Sequence, residues 1–145
     1  MNNSDFSPST ICVHGGTFLS KEDSGVNSPI FPSTAFKYEE GGQVPYARYF
    51  NVPNQEAIAQ KISSLESAET AIVLSSGMAA ISGAIMGLVK QGEHVVFQDS
   101  LYGGTHYFIS EIMEKFGIEY TLVAEHDAKA FEQAIQPNTK LIYIE

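Results

Sequence analysis

Three short stretches of this sequence carry side chains suited to holding a ligand. Ser75-Ser76-Gly77-Met78 follows an uncharged apolar run, 71–74, and precedes a second apolar stretch. Two hydroxyls and a glycine at the start of a helix suit an anion. The first N–H groups of a helix lack partners within it, glycine admits close backbone approach, and the helix dipole favours negative charge. The same four residues also make an ordinary capped turn, and they match neither G-x-x-x-x-G-K-[ST] nor G-x-G-x-x-G. Arg48, the single arginine, lies in Tyr46-Ala47-Arg48-Tyr49-Phe50. Its planar guanidinium suits two parallel bonds to phosphate or carboxylate, with neighbouring phenols adding another; alternatively it stacks on those aromatics at the surface. Tyr102, in Leu101-Tyr102-Gly103-Gly104-Thr105, can lay its ring on a planar ligand while the glycines leave room, or can pack at a turn. Asp99 is an acid nearby, or a turn residue with Ser100 as helix cap; Glu145, at the end of a strand pattern, needs no function.

Other chemistries find less support. Cys12, the one cysteine, has no internal disulfide partner and reads as a small buried hydrophobe, while His14, His94, His106 and His126 are scattered without ligand spacing and read as solvated or capping groups. No metal is expected. Seventeen acidic against eight basic residues give a formal charge of −9, which repels a phosphate backbone and argues against nucleic-acid binding. The first ten residues lack both a basic residue and an apolar run, so neither a secretory nor a transit peptide is expected, and the chain reads as cytoplasmic. Residues 70–89 carry no charge, but Ser75, Ser76, Gly77, Ser82, Gly83 and Gly87 interrupt them, so they read as strand, turn and buried helix rather than as a membrane span.

These residues need elements to position them. The chain has 145 residues, which suits one domain of about 100–150. Residues 1–53 are punctuated too often by glycine, proline and serine for long elements and read as an extended interface arm with aromatic anchors Phe31, Phe36, Tyr38, Tyr46, Tyr49 and Phe50. Such an arm buries little of itself, so it must lie on the fold or on a second subunit. From Asn54, a predicted N-cap, Ile58, Ile62 and Leu65 recur at helical spacing and predict a helix to 67. Apolar runs at 71–74, 94–97, 118–123 and 141–144 then alternate with helical patterns at 78–90, 105–116 and 128–135. Gly92, Gly117 and Pro137 stand where those helices should stop. This alternation predicts an α/β fold, a mostly parallel sheet flanked by helices. Ligands of such sheets gather at the carboxyl ends of the strands, where the turns after 74, 97 and 123, and Glu145, fall on one edge.

Taken in order, TICVHGG, SPIFPSTAF, the Y-x-R of Tyr46 and Arg48, LESAETAIVLSSGMAAI, DSLYGGT and TKLIYIE resemble the amino-terminal part of the pyridoxal-phosphate (PLP) enzymes of cysteine and methionine metabolism. That family includes cystathionine γ-synthase, cystathionine γ-lyase and β-lyase, methionine γ-lyase and O-acetylhomoserine sulfhydrylase. The resemblance runs from Thr10 onward and implies an aminotransferase-like, fold type I architecture, with 54–145 as the first part of the PLP-binding large domain. It implies that Gly77 and Met78, with Ser76 close by, offer donors to the cofactor phosphate. Tyr46 and Arg48 would reach the phosphate of a neighbouring subunit, so each site needs two chains and the enzyme is at least a dimer, with a tetramer favoured. Tyr102 would stack on the pyridine ring and take part in proton movement at the substrate amine. The implied substrates are sulfur amino acids or O-acylhomoserine, and the reaction is γ- or β-elimination or replacement, with cystathionine γ-synthase or γ-lyase chemistry favoured.

Departures from the family pattern carry information too. R-x-x-N-P-T reads Arg48-Tyr49-Phe50-Asn51-Val52-Pro53-Asn54, an apparent one-residue insertion, and Gly104 stands where methionine γ-lyases usually carry cysteine. The sequence stops before the positions of the lysine that holds the cofactor, the acid paired with the ring nitrogen, and the arginine for the substrate carboxylate. No lysine here substitutes: Lys90 and Lys140 fall at the amino edge, and about five strand residues put Lys140 roughly 13 to 17 Å from the phosphate edge. The rival readings are a truncated, non-catalytic α/β domain that binds phosphate or a partner, and a nucleotide-binding domain with Asp99 as a ribose acid, against which the glycine spacing argues.

Overall fold

The computed structural model describes residues 6–17, 25–37, 41–42, 44–124 and 127–145. Its contacts divide the chain into two compact units, Met1–Val73 and Leu74–Glu145. Tyr38, Glu125 and His126 lie outside the described residues.

The first unit is not wholly extended, as the punctuation had predicted. It opens with a helix, α1 (Pro8–His14), with Ser7 as N-cap, its hydroxyl accepting from Thr10 N at 3.3 Å, and with proline at the first helical position. Ser-Pro is a helix-start signal, because proline lacks only an N–H that would be orphaned there. Gly16, at φ 61°, ends this turn where a side chain would strike the backbone of Gln60 and Lys61 in α2 (Pro53–Leu65), so only glycine permits that approach. Lys61 Nζ also donates to Val13 O at 2.8 Å. Cys12 is exposed, not buried, because α1 turns it away from α2. Helix α2 begins one residue before its predicted cap. Val52 is the N-cap and Pro53 the first helical residue, while Asn54 pairs with the Phe31 backbone, donating to its O at 2.8 Å and accepting from its N at 2.9 Å. Proline preset for the first turn moves the start, and Asn54 is used to anchor the arm.

The second unit is the predicted α/β layer. Among the described residues the sheet has strand order β2-β1-β3, all parallel, from β1 (His94–Gln98), β2 (Glu119–Val123) and β3 (Thr139–Tyr143). Central β1 is buried through its first four residues, as its unbroken apolar run requires when both faces are covered. Helix α3 (Gly77–Leu88) supplies Ile85, which joins Val89, Val95, Phe97, Phe108, Ile109, Met113 and Ile118 in one core. Truncating any of the larger of these would cost about 2–5 kcal/mol.

The predicted strand at 71–74 is absent. Residues 71–74 are irregular, with Ile72 65% exposed, because an apolar run becomes a strand only when another strand pairs with it, and none described here does. The predicted helix at 105–116 is present from Gly103 but composite: an α-turn, α4 (Gly103–Tyr107), passes into a π-helical stretch (Phe108–Ile112) and a 3-10 turn (Met113–Phe116). The wide middle turn carries Phe108 and Ile109 into the core. Helix α5 (Ala128–Ala134) starts at Asp127, whose carboxylate accepts from Ala130 N at 2.8 Å.

Candidate functional site

Helix α3 begins at the carboxyl-edge turn. Ser76, in extended conformation, caps it by accepting from Ala79 N at 3.1 Å, and Ser76 and Gly77 are exposed. Gly77 and Met78 are the first two helical residues, so no carbonyl one turn earlier in the helix can take their N–H groups. A side chain built at Gly77 would meet nothing within 4 Å, so the approach to these amides is open. The serine hydroxyl is committed as a cap rather than aimed outward.

Tyr102 is the N-cap of α4, and its ring is 66% exposed. Gly104 connects it to α3: a Cβ there would lie 2.7 Å from Tyr102 Cε1 and 2.9 Å from Met78 Sδ. The ring therefore leans over the missing side chain, beside the methionine of the exposed helix start. Ser76, Gly77, Met78 and Tyr102 are thus brought together, a flat exposed ring next to amides able to receive an anion. These residues fit a planar, phosphorylated ligand in both charge and shape.

Ser100 does not cap α4, as the sequence had suggested. Glu145 does that work. One carboxylate oxygen accepts the backbone N–H of Tyr102, and the other accepts from Tyr143 Oη at 2.8 Å and from Thr105 Oγ1 at 3.2 Å. Gln98 Nε2 ties the same corner, donating to Ser100 O at 2.7 Å and to Glu145 O at 2.5 Å. Burial opposes ionisation of Glu145 and is the largest influence on it. The Tyr102 amide and the Tyr143 and Thr105 hydroxyls together outweigh it and hold the carboxyl below its ordinary value. Burial first, then the bond to Glu145 and its charge, push the Tyr143 phenol up to about 12. Sequence reasoning passed over Tyr143 and Thr105, although Tyr143 and Glu145, two apart at the end of one strand, were placed to share a face.

Tyr46 and Arg48 stand in the first unit, on a 3-10 turn (Ala47–Tyr49) that ends with Phe50 at φ 57°. A bulky residue in the left-handed region is strained by about 1–3 kcal/mol and persists only where its surroundings over-determine it. Here Asn51 accepts from Tyr46 N at 2.7 Å and donates to Val44 O at 2.9 Å, and Gln55 donates to Ala47 O at 3.0 Å. Val52, the inserted residue, is absorbed as the N-cap of α2, so the turn closes despite the extra length. Tyr46 packs edge-on against Tyr49, with ring centroids 5.3 Å apart, and the Arg48 side chain is exposed.

His94 is a correction. It is buried rather than solvated, with Nδ1 2.8 Å from Thr139 Oγ1 and Nε2 2.9 Å from Thr121 Oγ1 and 3.2 Å from Gln136 Nε2. An amide nitrogen only donates, so Nε2 accepts and Nδ1 carries the hydrogen. Among the described residues no group of histidine, cysteine and acidic side chains could hold a metal ion, and no helix is long and apolar enough to cross a membrane.

The sequence profile of the family described as Cys/Met metabolism PLP-dependent enzyme matches residues 9–145. The chain is 39% identical over 139 residues to cystathionine gamma-lyase of Bacillus subtilis, covering 94% of this chain and 36% of that protein. It is 36% identical over 147 residues to L-methionine gamma-lyase of Porphyromonas gingivalis, again covering 94% of this chain and 36% of that protein. The crystal structure of metB from Corynebacterium glutamicum superposes with a TM-score of 0.88 at 31% identity, over 98% of this chain and 38% of that one. The chain thus spans little more than a third of the length of the relatives it matches.

Proposed function

The chain belongs to the Cys/Met metabolism PLP-dependent enzyme family and carries part of its fold type I architecture, and from that premise we propose that it supplies the phosphate cradle and ring platform of a trans-sulfuration enzyme. The observation that carries the reading is the meeting of the Tyr102 ring and Met78 Sδ over Gly104, beside the open start of α3. In this reading the Gly77 and Met78 amides, with Ser76 holding the turn, bind the cofactor phosphate. Tyr46 and Arg48 reach the phosphate in a second copy of the chain, within a dimer or tetramer. Tyr102 covers one face of the ring and handles a proton at the substrate amine. Bound pyridoxal phosphate supplies an electron sink for a carbanion at the substrate α-carbon.

The substrate is a sulfur amino acid or an O-acylhomoserine, and the reaction a γ- or β-elimination or replacement of the cystathionine γ-synthase or γ-lyase type. Gly104 supports that choice over methionine γ-lyase chemistry, because the Tyr102 ring occupies the space a cysteine side chain would need. Residues 1–53 act as the interface arm and 54–145 as the first part of the large domain, in a cytoplasmic enzyme.

Arg48→Ala in the full-length protein tests the shared cradle. Losing a charge-assisted pair of bonds should weaken PLP binding about 10- to 100-fold, read by titration of cofactor absorbance. A mixture of Arg48→Ala and Tyr102→Ala subunits should regain activity at a fraction of sites if each site draws on two chains. Unchanged affinity in Arg48→Ala, with no complementation in the mixture, would refute the shared cradle. A panel of cystathionine, O-acetylhomoserine, O-succinylhomoserine and methionine decides the substrate.

A further inference from the structure

The Glu145 carboxylate joins three partners from two elements: the Tyr102 N–H and Thr105 hydroxyl at the start of α4, and the Tyr143 hydroxyl on β3. We propose that Glu145 is the positioning residue for the ring platform, holding the Tyr102 backbone to the end of β3 so that the ring stays over Gly104. This rests on the reading of Tyr102 as the ring platform.

The geometry explains why an acid is needed at this place. Tyr102 caps α4 without any side-chain bond of its own, and its ring is largely exposed, so packing alone does not fix it. A single carboxylate has acceptor sites for all three donors at once, which an amide or a hydroxyl does not. Its two anchors are unequal to the one it steadies. Thr105 is fully buried and Tyr143 packs on the core at 5.5 Å from Phe97, ring centroid to centroid, whereas Tyr102 faces solvent. The carboxylate therefore transmits the rigidity of the core to an exposed loop. Gln98, bonded to both Ser100 O and Glu145 O, closes the loop from the other side. Glu145 touches neither the opening amides of α3 nor Arg48 among its printed partners, so its effect on a ligand runs through Tyr102.

The test uses the full-length protein. Hydrogen exchange of the Tyr102 amide, followed by mass spectrometry or NMR, should quicken about tenfold or more in Glu145→Ala, while amides of β1 keep their protection. Glu145→Gln, which keeps one acceptor oxygen without the charge, should fall between the two; if the alanine variant does not fold, the glutamine variant carries the test. With PLP bound, the visible circular dichroism of the cofactor should diminish in the same order. In steady state kcat should fall more than KM rises. Combined with Tyr102→Ala, Glu145→Ala should cause no further loss of cofactor dichroism. Unchanged exchange at Tyr102, or additive losses in the double variant, would overturn the proposal. The exchange measurement needs no cofactor, so a full-length protein that binds no PLP would defeat the proposed function while leaving this inference to stand or fall on its own readout.

Discussion

The two ends of the same three strands each carry a polar network, and they are built on opposite principles. At the amino end His94 is buried and every ring nitrogen is matched by a neutral partner from Thr121, Thr139 or Gln136. At the carboxyl end Glu145 is charged, exposed, and bonded to the backbone of an exposed loop. The first network is closed: its donors and acceptors are consumed internally, so it fastens β1 to its neighbours and offers nothing to a ligand. The second is open on the Tyr102 side, where the loop it steadies presents a ring to solvent. Density of polar groups therefore does not mark the functional edge. Charge, exposure and the piece of backbone being held do.

The largest effect should come from breaking the closed end. His94→Ala leaves the Thr121 hydroxyl and Gln136 amide without a buried partner and opens a cavity, costing about 2–5 kcal/mol by chemical denaturation, with the cofactor spectrum of the surviving folded fraction unchanged. A shifted cofactor spectrum would mean that the two ends are coupled.

At the open end the order reverses. Gly104→Ala should alter overall stability by no more than about 1 kcal/mol, since alanine favours the helix, yet it must swing the Tyr102 ring away from a Cβ otherwise 2.7 Å distant. Weaker PLP binding with an unchanged melting temperature is the expected signature. Equal binding would show that the ring position does not matter.

The smallest effect is electrostatic. Tyr143 has its folded value raised to about 12 from an ordinary 10.0, so the protonated phenol contributes stability below pH 10.0 that is lost as pH rises towards 12. Glu145, lowered from 4.5, contributes above that value and loses its contribution as pH falls through its folded value. The open network is thus intact from about pH 4.5 to pH 10, and solvent screening keeps its contribution small. Ultraviolet titration of the phenol should show Glu145→Gln moving the Tyr143 midpoint back towards 10.0 without reaching it, because burial, the largest cause, remains. A midpoint unmoved by that substitution would remove the charged bond from the comparison.

What could be read from the sequence follows from how local each signal is. The runs that became β1, β2 and β3, and the Asp127 cap of α5, need only their neighbours in the chain to be recognised. So does the Ser76 cap, and the four residues Ser76, Gly77, Met78 and Tyr102 fell together because strand-to-helix turns of a parallel sheet share an edge. The run 71–74 has the same apolar signature as β1 but no strand beside it, and a strand is a property of pairs. The Glu145 network escaped notice because residues far apart in the chain supply it, and the burial of His94 because its threonine partners lie on separate strands. Helix α1 was legible in Ser7-Pro8 and was outweighed by the glycines that follow.

The π-helical stretch Phe108–Ile112 has one further consequence. An over-wide turn accommodates a surplus residue, so it acts as a phase shifter: every side chain beyond it is rotated by about 100° relative to an uninterrupted α-helix. Met113 points inward only because of that offset. Shortening the helix by one residue within this turn would regularise the hydrogen-bond ladder and turn the methionine out of its place, so the more ideal helix would make the poorer protein.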